Sequence, residues 1–130
     1  MAEHPNALRV REGYDAFAKG DLATLEGIFC EDIVWHIGGT SQLAGDYHGR
    51  TAVYGMLGRL MELTEGSFTV DVRAAFADDH DGVALVLNSL RRGERAAEII
   101  GADIYRFVDG TIVEAWFATT DAPAFDAIVG

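Results

Sequence analysis

The spacing of apolar residues changes from near four to two after Gly66. Before this point apolar residues recur at intervals of three and four, the period of an amphipathic helix. After it Phe68, Val70 and Val72 alternate with polar neighbours, which is the period of a strand. The order predicts three helices followed by four long antiparallel strands. It indicates an α+β fold with the helices against one face of a curved sheet.

Local signals give approximate ends for these elements. The first predicted helix runs from about Asn6 to Ala18 and Gly20 ends it, while Asp21 caps the second helix. Thr51 is expected to cap the third helix, and Asp109-Gly110 predicts a tight hairpin between the last two strands. The second helix is predicted at residues 22–29, a short strand at 33–37 and a loop at 38–49. The four long strands are predicted at 68–73, 82–90, 96–107 and 111–119.

A long curved sheet with three helices on its concave side encloses a cone. The wide end of this cone is expected to hold an apolar pocket, and the convex face is left for another subunit to cover. Apolar residues on both faces of the strand from Val83 to Leu90 favour such two-sided burial. The sequence therefore predicts a homodimer built through the convex face.

Composition narrows the class of protein. The chain has 130 residues, of which 49% are apolar, so we expect one domain spanning residues 1–130. The net charge of −11 disfavours nucleic acid and anionic membranes as partners. No apolar run is long enough to span a membrane, and no hydrophobic signal segment begins the chain. Cys30 is the single cysteine and is interpreted as a small core residue in a helical segment, which fits a cytoplasmic protein.

No motif points to a metal or a cofactor. The four histidines are scattered without the spacing of a zinc site. No glycine-rich phosphate loop precedes a helix, so nucleotide binding has no support. We therefore expect chemistry that needs neither a metal nor a cofactor.

Two polar residues interrupt apolar strands and are the catalytic candidates. Asp103 lies in a predicted central strand, where aspartate is depleted and costly to bury. His36 lies in the short strand 33–37, and an imidazole is the usual proton shuttle near neutral pH. We expect both side chains to point into one cavity, where His36 would move a proton and Asp103 would orient it or hold a developing oxyanion. The alternative is a structural His–Asp hydrogen bond inside an inert ligand cavity.

Other residues are expected to line the pocket and contact a substrate. Tyr14 lies on the inward face of the first helix, and Asn88 is a polar residue within an apolar strand. The full set of candidate substrate-binding residues is Tyr14, Phe17, Phe29, Tyr54, Asn88, Tyr105, Trp116 and Phe117.

Four segments together resemble the nuclear transport factor 2-like superfamily, and within it the SnoaL-like polyketide cyclases and ketosteroid isomerase. These segments cover residues 14–21, 29–36, 45–53 and 103–116. The resemblance implies a single SnoaL-like domain with a cystatin-like α+β barrel. It also implies small-molecule chemistry, although the superfamily includes members that catalyse nothing.

The resemblance carries over to some site residues and fails at others. Asp103 matches the strand carboxylate that helps ketosteroid isomerase to hold an enolate oxygen, and His36 occupies the place of the general base. Gly13 stands where the isomerase has its oxyanion-binding tyrosine, and Phe117 stands where the cyclases have a carboxylate. Simple hairpin pairing would turn Trp116 inward, whereas the resemblance turns Phe117 inward and requires a bulge.

The sequence thus predicts an isomerase or cyclase that performs acid–base chemistry on a small apolar molecule bearing a carbonyl or similar group. A small-molecule-binding protein without turnover is the main alternative. An epoxide hydrolase is a third possibility. In this fold that chemistry is associated with an Asp–Arg–Asp arrangement, and no arginine of this sequence can be assigned between two pocket carboxylates.

Overall fold

Six strands form one curved sheet, and helices complete the predicted α+β fold. The computed structural model describes residues 3–130. The strand order in the sheet is β2-β1-β6-β5-β4-β3. In chain order the elements are α1 (Pro5–Lys19), α2 (Leu22–Ile28), β1 (Phe29–Ile37), β2 (Gly45–His48), α3 (Arg50–Leu63), β3 (Thr69–Ala77), β4 (Asp81–Arg92), β5 (Arg95–Val108), β6 (Thr111–Phe117) and α4 (Ala122–Val129).

The ends of the first two helices follow the sequence signals. Gly20 ends α1 in the left-handed conformation at φ 67°, which a glycine adopts without steric cost. The Asp21 side chain accepts a hydrogen bond from the Thr24 amide at 3.1 Å and caps α2. The third helix differs from the prediction, because its N-cap is Gly49, at φ 91°, rather than Thr51.

Three segments depart from the sequence prediction. The chain passes from α2 directly into β1 at Phe29, so Cys30 lies half-buried in a strand and not in a helix. The predicted loop contains β2, which pairs antiparallel with β1 although glycine and aspartate are poor strand formers. The helix α4 was missed, although Asp121 accepts a hydrogen bond from the Ala124 amide and Pro123 lies in its first turn.

A bulge in β6 decides which of two neighbouring aromatic side chains faces inward. The predicted hairpin forms at Asp109 and Gly110, which both have positive φ. Phe107 pairs with Ile112, but Arg106 pairs with Glu114, so one extra residue, Val113, lies in β6. Beyond the bulge the faces of β6 are exchanged. Trp116 consequently turns to the outer face of the sheet, and Phe117 turns to the inner face.

The core lies between the inner face of the sheet and the helices. Strand β1 contributes Ile33, Trp35 and Ile37, and these alternate residues are all buried. From the helices, Leu25 of α2 and Val53 of α3 are almost fully enclosed. Among residues 3–130, no helix has the length and apolar character needed to cross a membrane.

Two leucines of α2 provide a matched test of this packing. Leu25 is 2% exposed and Leu22 is 52% exposed. Leu25→Ala should lower the free energy of unfolding by about 2–5 kcal/mol, because it leaves a cavity in the core. Leu22→Ala should change it by less than about 1 kcal/mol. Urea unfolding followed by circular dichroism measures both values, and equal losses would contradict the assigned orientation of α2.

Candidate functional site

A mostly apolar cavity lies between the inner face of the sheet and helices α1, α3 and α4. It contains about 690 Å³ of space, including the part open to solvent, so the enclosed part is smaller. Phe17, Phe29 and Phe117 form parts of its wall, as the sequence predicted. Phe125 of the unpredicted helix α4 also lines it. Small-molecule sites have this character, with an apolar wall and a few placed polar groups.

A hydrogen-bonded chain of three side chains forms the polar part of this wall. The Tyr14 hydroxyl donates to Oδ2 of Asp103 at 2.5 Å and lies 2.6 Å from the Tyr105 hydroxyl. Since Tyr14 has one proton to donate, Tyr105 donates to Tyr14 when Asp103 is ionised. Alternation along β5 turns Asp103 and Tyr105 inward together, and α1 brings Tyr14 over them.

Burial dominates the electrostatics of this chain. Asp103 is 4% exposed, and its burial raises the pKa of the carboxyl to about 7, although the hydrogen bond from Tyr14 opposes this rise. Burial also raises the pKa of Tyr14 and of Tyr105 well above the usual range. Near neutral pH both phenols therefore remain hydrogen-bond donors while the carboxyl exists in both protonation states.

One oxygen of the carboxyl is left for another partner. Oδ1 of Asp103 is buried and makes no hydrogen bond of good geometry within residues 3–130, although the Ala118 backbone lies close enough to the carboxyl to oppose the rise in its pKa. Because Oδ2 is held by Tyr14, the free oxygen is the one that can accept a proton from a bound molecule or return one to it. The arrangement can therefore transfer a proton at a single point in an apolar environment.

The expectation that His36 and Asp103 share one cavity is wrong. Along β1 the inward positions are Ile33, Trp35 and Ile37, so strand alternation turns His36 to the opposite face of the sheet. The side chain of His36 is 26% exposed there and is separated from the cavity by the sheet itself.

On the outer face His36 joins three strands through ionic contacts. Its Nδ1 lies 2.6 Å from Asp46 of β2, and its Nε2 lies 2.7 Å from Glu114 of β6. The hydrogen bond to Asp46, followed by that to Glu114, raises the pKa of His36 above its ordinary value. The imidazole stacks on Trp116 with ring centroids 5.3 Å apart, and Arg106 lies over the same indole. This cluster ties the β2 edge to the centre of the sheet.

Two predicted substrate-binding residues also lie elsewhere. Trp116 belongs to the outer-face cluster because of the bulge in β6. Tyr54 lies in a neighbouring groove between α1, α2 and α3, with its ring beside Phe29. The structure brings together Tyr14, Phe17, Phe29, Asn88, Asp103, Tyr105 and Phe117 at the cavity.

Sequence comparison agrees with this architecture. The family model described as a SnoaL-like domain matches residues 10–115. The chain belongs to this family. An uncharacterized protein of Mycobacterium tuberculosis is 32% identical to this SnoaL-like domain over 91 residues, which make up 70% of the chain and 68% of that protein.

Solved structures share the fold almost from end to end. The protein Bal32a, from a soil-derived mobile gene cassette, superimposes with a TM-score of 0.92 at 31% identity, covering 97% of each chain. IdmH of Streptomyces antibioticus, a proposed polyketide cyclase, superimposes with a TM-score of 0.76 at 20% identity, covering 98% of this chain and 99% of its own. The second similarity shows the fold alone.

In this SnoaL-like domain the described residues contain no group of three or more histidine, cysteine, aspartate or glutamate side chains placed to hold a metal ion. The sequence predicts Tyr14, Tyr105 and Asp103 as site residues, but it does not predict the hydrogen bonds between them. Inward positions on β5 two residues apart were the available signal for Asp103 and Tyr105.

The buried carboxyl should give the stability of the protein an unusual pH dependence. The folded-state pKa of Asp103 is raised, so the folded state binds more protons than the unfolded state between about pH 4 and pH 7. The free energy of unfolding should therefore fall by about 1–2 kcal/mol from about pH 4.5 to pH 6 through this group. In the same window His36 is protonated in both states and contributes little change.

Asp103→Asn should remove this fall, whereas Asp15→Asn, at a carboxyl 65% exposed, should retain it. Urea unfolding at several pH values, compared among the three proteins, measures the difference. If the free energy of unfolding changes with pH in the same way for the wild type and Asp103→Asn between about pH 4.5 and pH 6, Asp103 is ionised like an exposed carboxyl.

Proposed function

We propose that this SnoaL-like domain is an isomerase or cyclase that acts without a cofactor on a small apolar molecule bearing a carbonyl group. The observation that carries this proposal is Asp103, the one carboxyl among the residues described as lining the cavity. Its pKa of about 7 matches the requirement for a group that both takes and returns a proton near neutral pH.

In the proposed reaction, the ionised Oδ1 of Asp103 removes a proton from the carbon next to the substrate carbonyl. The C–H bond breaks, its electron pair moves to form the enolate, and the proton stays on the carboxyl. Once Asp103 is neutral, Tyr14 no longer has a carboxylate to stabilise and can donate to the enolate oxygen. Return of the proton to another carbon gives an isomer. Alternatively, the enolate carbon forms a bond to a second carbonyl carbon, whose C=O π bond breaks, and the resulting alkoxide takes the proton back from Asp103 to give a ring.

One observation favours a binding protein without turnover as the second candidate. With His36 on the outer face, the only titratable side chains lining the cavity in the described chain are Asp103 and the two tyrosines. Both phenols stay protonated, so Asp103 would act as the sole base. No arginine lines the described cavity, which leaves the Asp–Arg–Asp arrangement of an epoxide hydrolase without support.

Proton exchange separates these candidates before the true substrate is known. A library of apolar ketones is incubated with the protein in deuterated solvent, and incorporation of deuterium next to the carbonyl is followed by NMR. Asp103→Asn should slow exchange by at least about a hundredfold, and Tyr14→Phe should slow it less. Asp15→Asn is the control for a carboxyl remote from the cavity.

Tight binding of several ketones without exchange would establish the binding protein and refute the enzyme. Exchange that is lost in His36→Gln but retained in Asp103→Asn would also refute the proposal, because it would place the base on the outer face.

We also propose that the outer sheet face forms a homodimer. Large apolar side chains that alternate with inward residues are exposed there, and they are Phe76, Leu85, Ile100, Ile104 and Val108. Exposed apolar patches of this kind mark association surfaces. Exposed charges of both signs accompany them, including Glu98 and Arg106, so the same surface on a second copy can match opposite charges across a two-fold axis.

Ile100→Lys should weaken this dimer at least about tenfold, because the ammonium group would lose its water at the centre of the interface. Leu8→Lys, at a position on α1 that is 50% exposed, is the matched control and should leave association unchanged. Sedimentation velocity from nanomolar to micromolar concentration measures the change. A wild-type protein that remains monomeric throughout, or equal effects of both substitutions, would contradict the proposed interface.

A further inference from the structure

Asn88 is a second polar group in the cavity wall, and the proposed proton transfer does not use it. It lies on β4, lines the cavity and is 1% exposed. Within the described residues neither its Oδ1 nor its Nδ2 has a hydrogen-bond partner. A buried amide without partners destabilises the fold, because it gives up its hydrogen bonds to water and gains none in return. Asn88 therefore costs stability in the form of the protein that holds no ligand.

The adjacent strand leaves room for this amide. Gly101 lies on the inner face of β5, and a Cβ atom at that position would come within 3.0 Å of Nδ2 of Asn88. The same Cβ atom would come within 2.8 Å of the Ala118 carbonyl oxygen. A glycine inside a strand weakens it, because it has no side chain to pack. Asn88 and Gly101, each unfavourable in its own strand, thus lie side by side. The absence of a side chain at Gly101 leaves the space in which the Asn88 amide lies.

The two polar positions lie apart on the sheet. Asn88 pairs with Ile99, and Ile99 is four residues from Asp103 along β5. The amide of Asn88 reaches back towards Asp103, however, because its Nδ2 lies beside Gly101, which is two residues and about 7 Å of strand from Asp103. A molecule that contacts both Asp103 and Asn88 therefore has polar groups at opposite ends of an apolar body, about the length of one or two fused rings.

The chemistry of Asn88 defines the group it would bind. A side-chain amide offers an acceptor oxygen and a donor nitrogen side by side, which complements a neutral group that has a donor and an acceptor on neighbouring atoms. No lysine or arginine lines the described cavity, so nothing there would neutralise an anionic group. Carboxamides and lactams fit this pattern, and carboxylates and phosphates do not.

We propose that Asn88 determines ligand specificity by binding a neutral amide-like group at the end of the ligand remote from Asp103. The inference rests on the proposed function, because it takes the cavity as the ligand site and Asp103 as the contact at the other end. It adds that the ligand is polar at both ends and uncharged at the Asn88 end.

Three naphthalene probes test this proposal by fluorescence titration. They are 2-naphthol, 6-hydroxy-2-naphthamide and 6-hydroxy-2-naphthoic acid, which is anionic at neutral pH. The wild type should bind the amide at least about tenfold more tightly than 2-naphthol, since a satisfied buried hydrogen bond contributes a factor of this size. It should bind the anionic acid more weakly than the amide by a similar or larger factor.

Asn88→Leu should abolish the preference for the amide and keep the affinity for 2-naphthol within about threefold. Ser89→Ala, on the same strand and the opposite face, should retain the preference. Without any probe, Asn88→Leu should raise the melting temperature, because it removes unpaired polar atoms from an apolar wall. A fall in melting temperature would show that Asn88 serves the fold.

Equal affinity of the wild type for the amide and 2-naphthol would overturn the inference, as would a preference that survives in Asn88→Leu. Failure of all three probes to bind the wild type would overturn the inference that the cavity binds a molecule with polar groups at both ends. These failures differ from failure of the proposed function, which is decided by deuterium exchange and by Asp103→Asn. A protein that exchanges protons through Asp103 but shows no Asn88-dependent preference retains the first proposal and loses the second.

Discussion

The burial of one carboxyl group without a cation beside it is the constraint around which the site is arranged. Asp103 lies inward on a central strand, where an ionised carboxylate is costly and a neutral one is tolerated. Tyr14 and Tyr105 reduce this cost by supplying a chain of hydroxyl groups to one oxygen. Two phenols from different elements can do so only if α1 is fixed against β5. The position of the first helix and the protonation of Asp103 are therefore coupled.

Sequence alone predicted the fold class, most element positions and the inward carboxyl, because these depend on hydrophobic period and on residues that break it. Asp103 was identified since a strand interior tolerates few aspartates. The error at His36 arose where a family position was given more weight than strand alternation. Ile33, Trp35 and Ile37 already defined the inward face, and a residue between them must point outward.

The other differences between the predicted and the observed structure depend on contacts between distant segments, which a local sequence pattern does not reveal. Strand β2 forms because β1 offers it a pairing edge, and the residues of 45–48 have little strand preference of their own. The bulge at Val113 reverses the faces of Trp116 and Phe117, and it depends on the register of two strands rather than on residue type. The unpartnered amide of Asn88 became visible only once its neighbours were known.

The parallel pairing of β1 with β6 has a consequence for the order in which the protein can be assembled. Phe29–Ile37 is made well before Thr111–Phe117, yet the two strands lie side by side. On the edge that faces β6, β1 therefore has no strand partner until β6 has been made. Pairings between distant segments form slowly, and an unpaired apolar strand is a point of aggregation. The short strand β2 follows β1 and pairs with its other edge. Only one of the two edges of β1 therefore remains unpaired while synthesis continues.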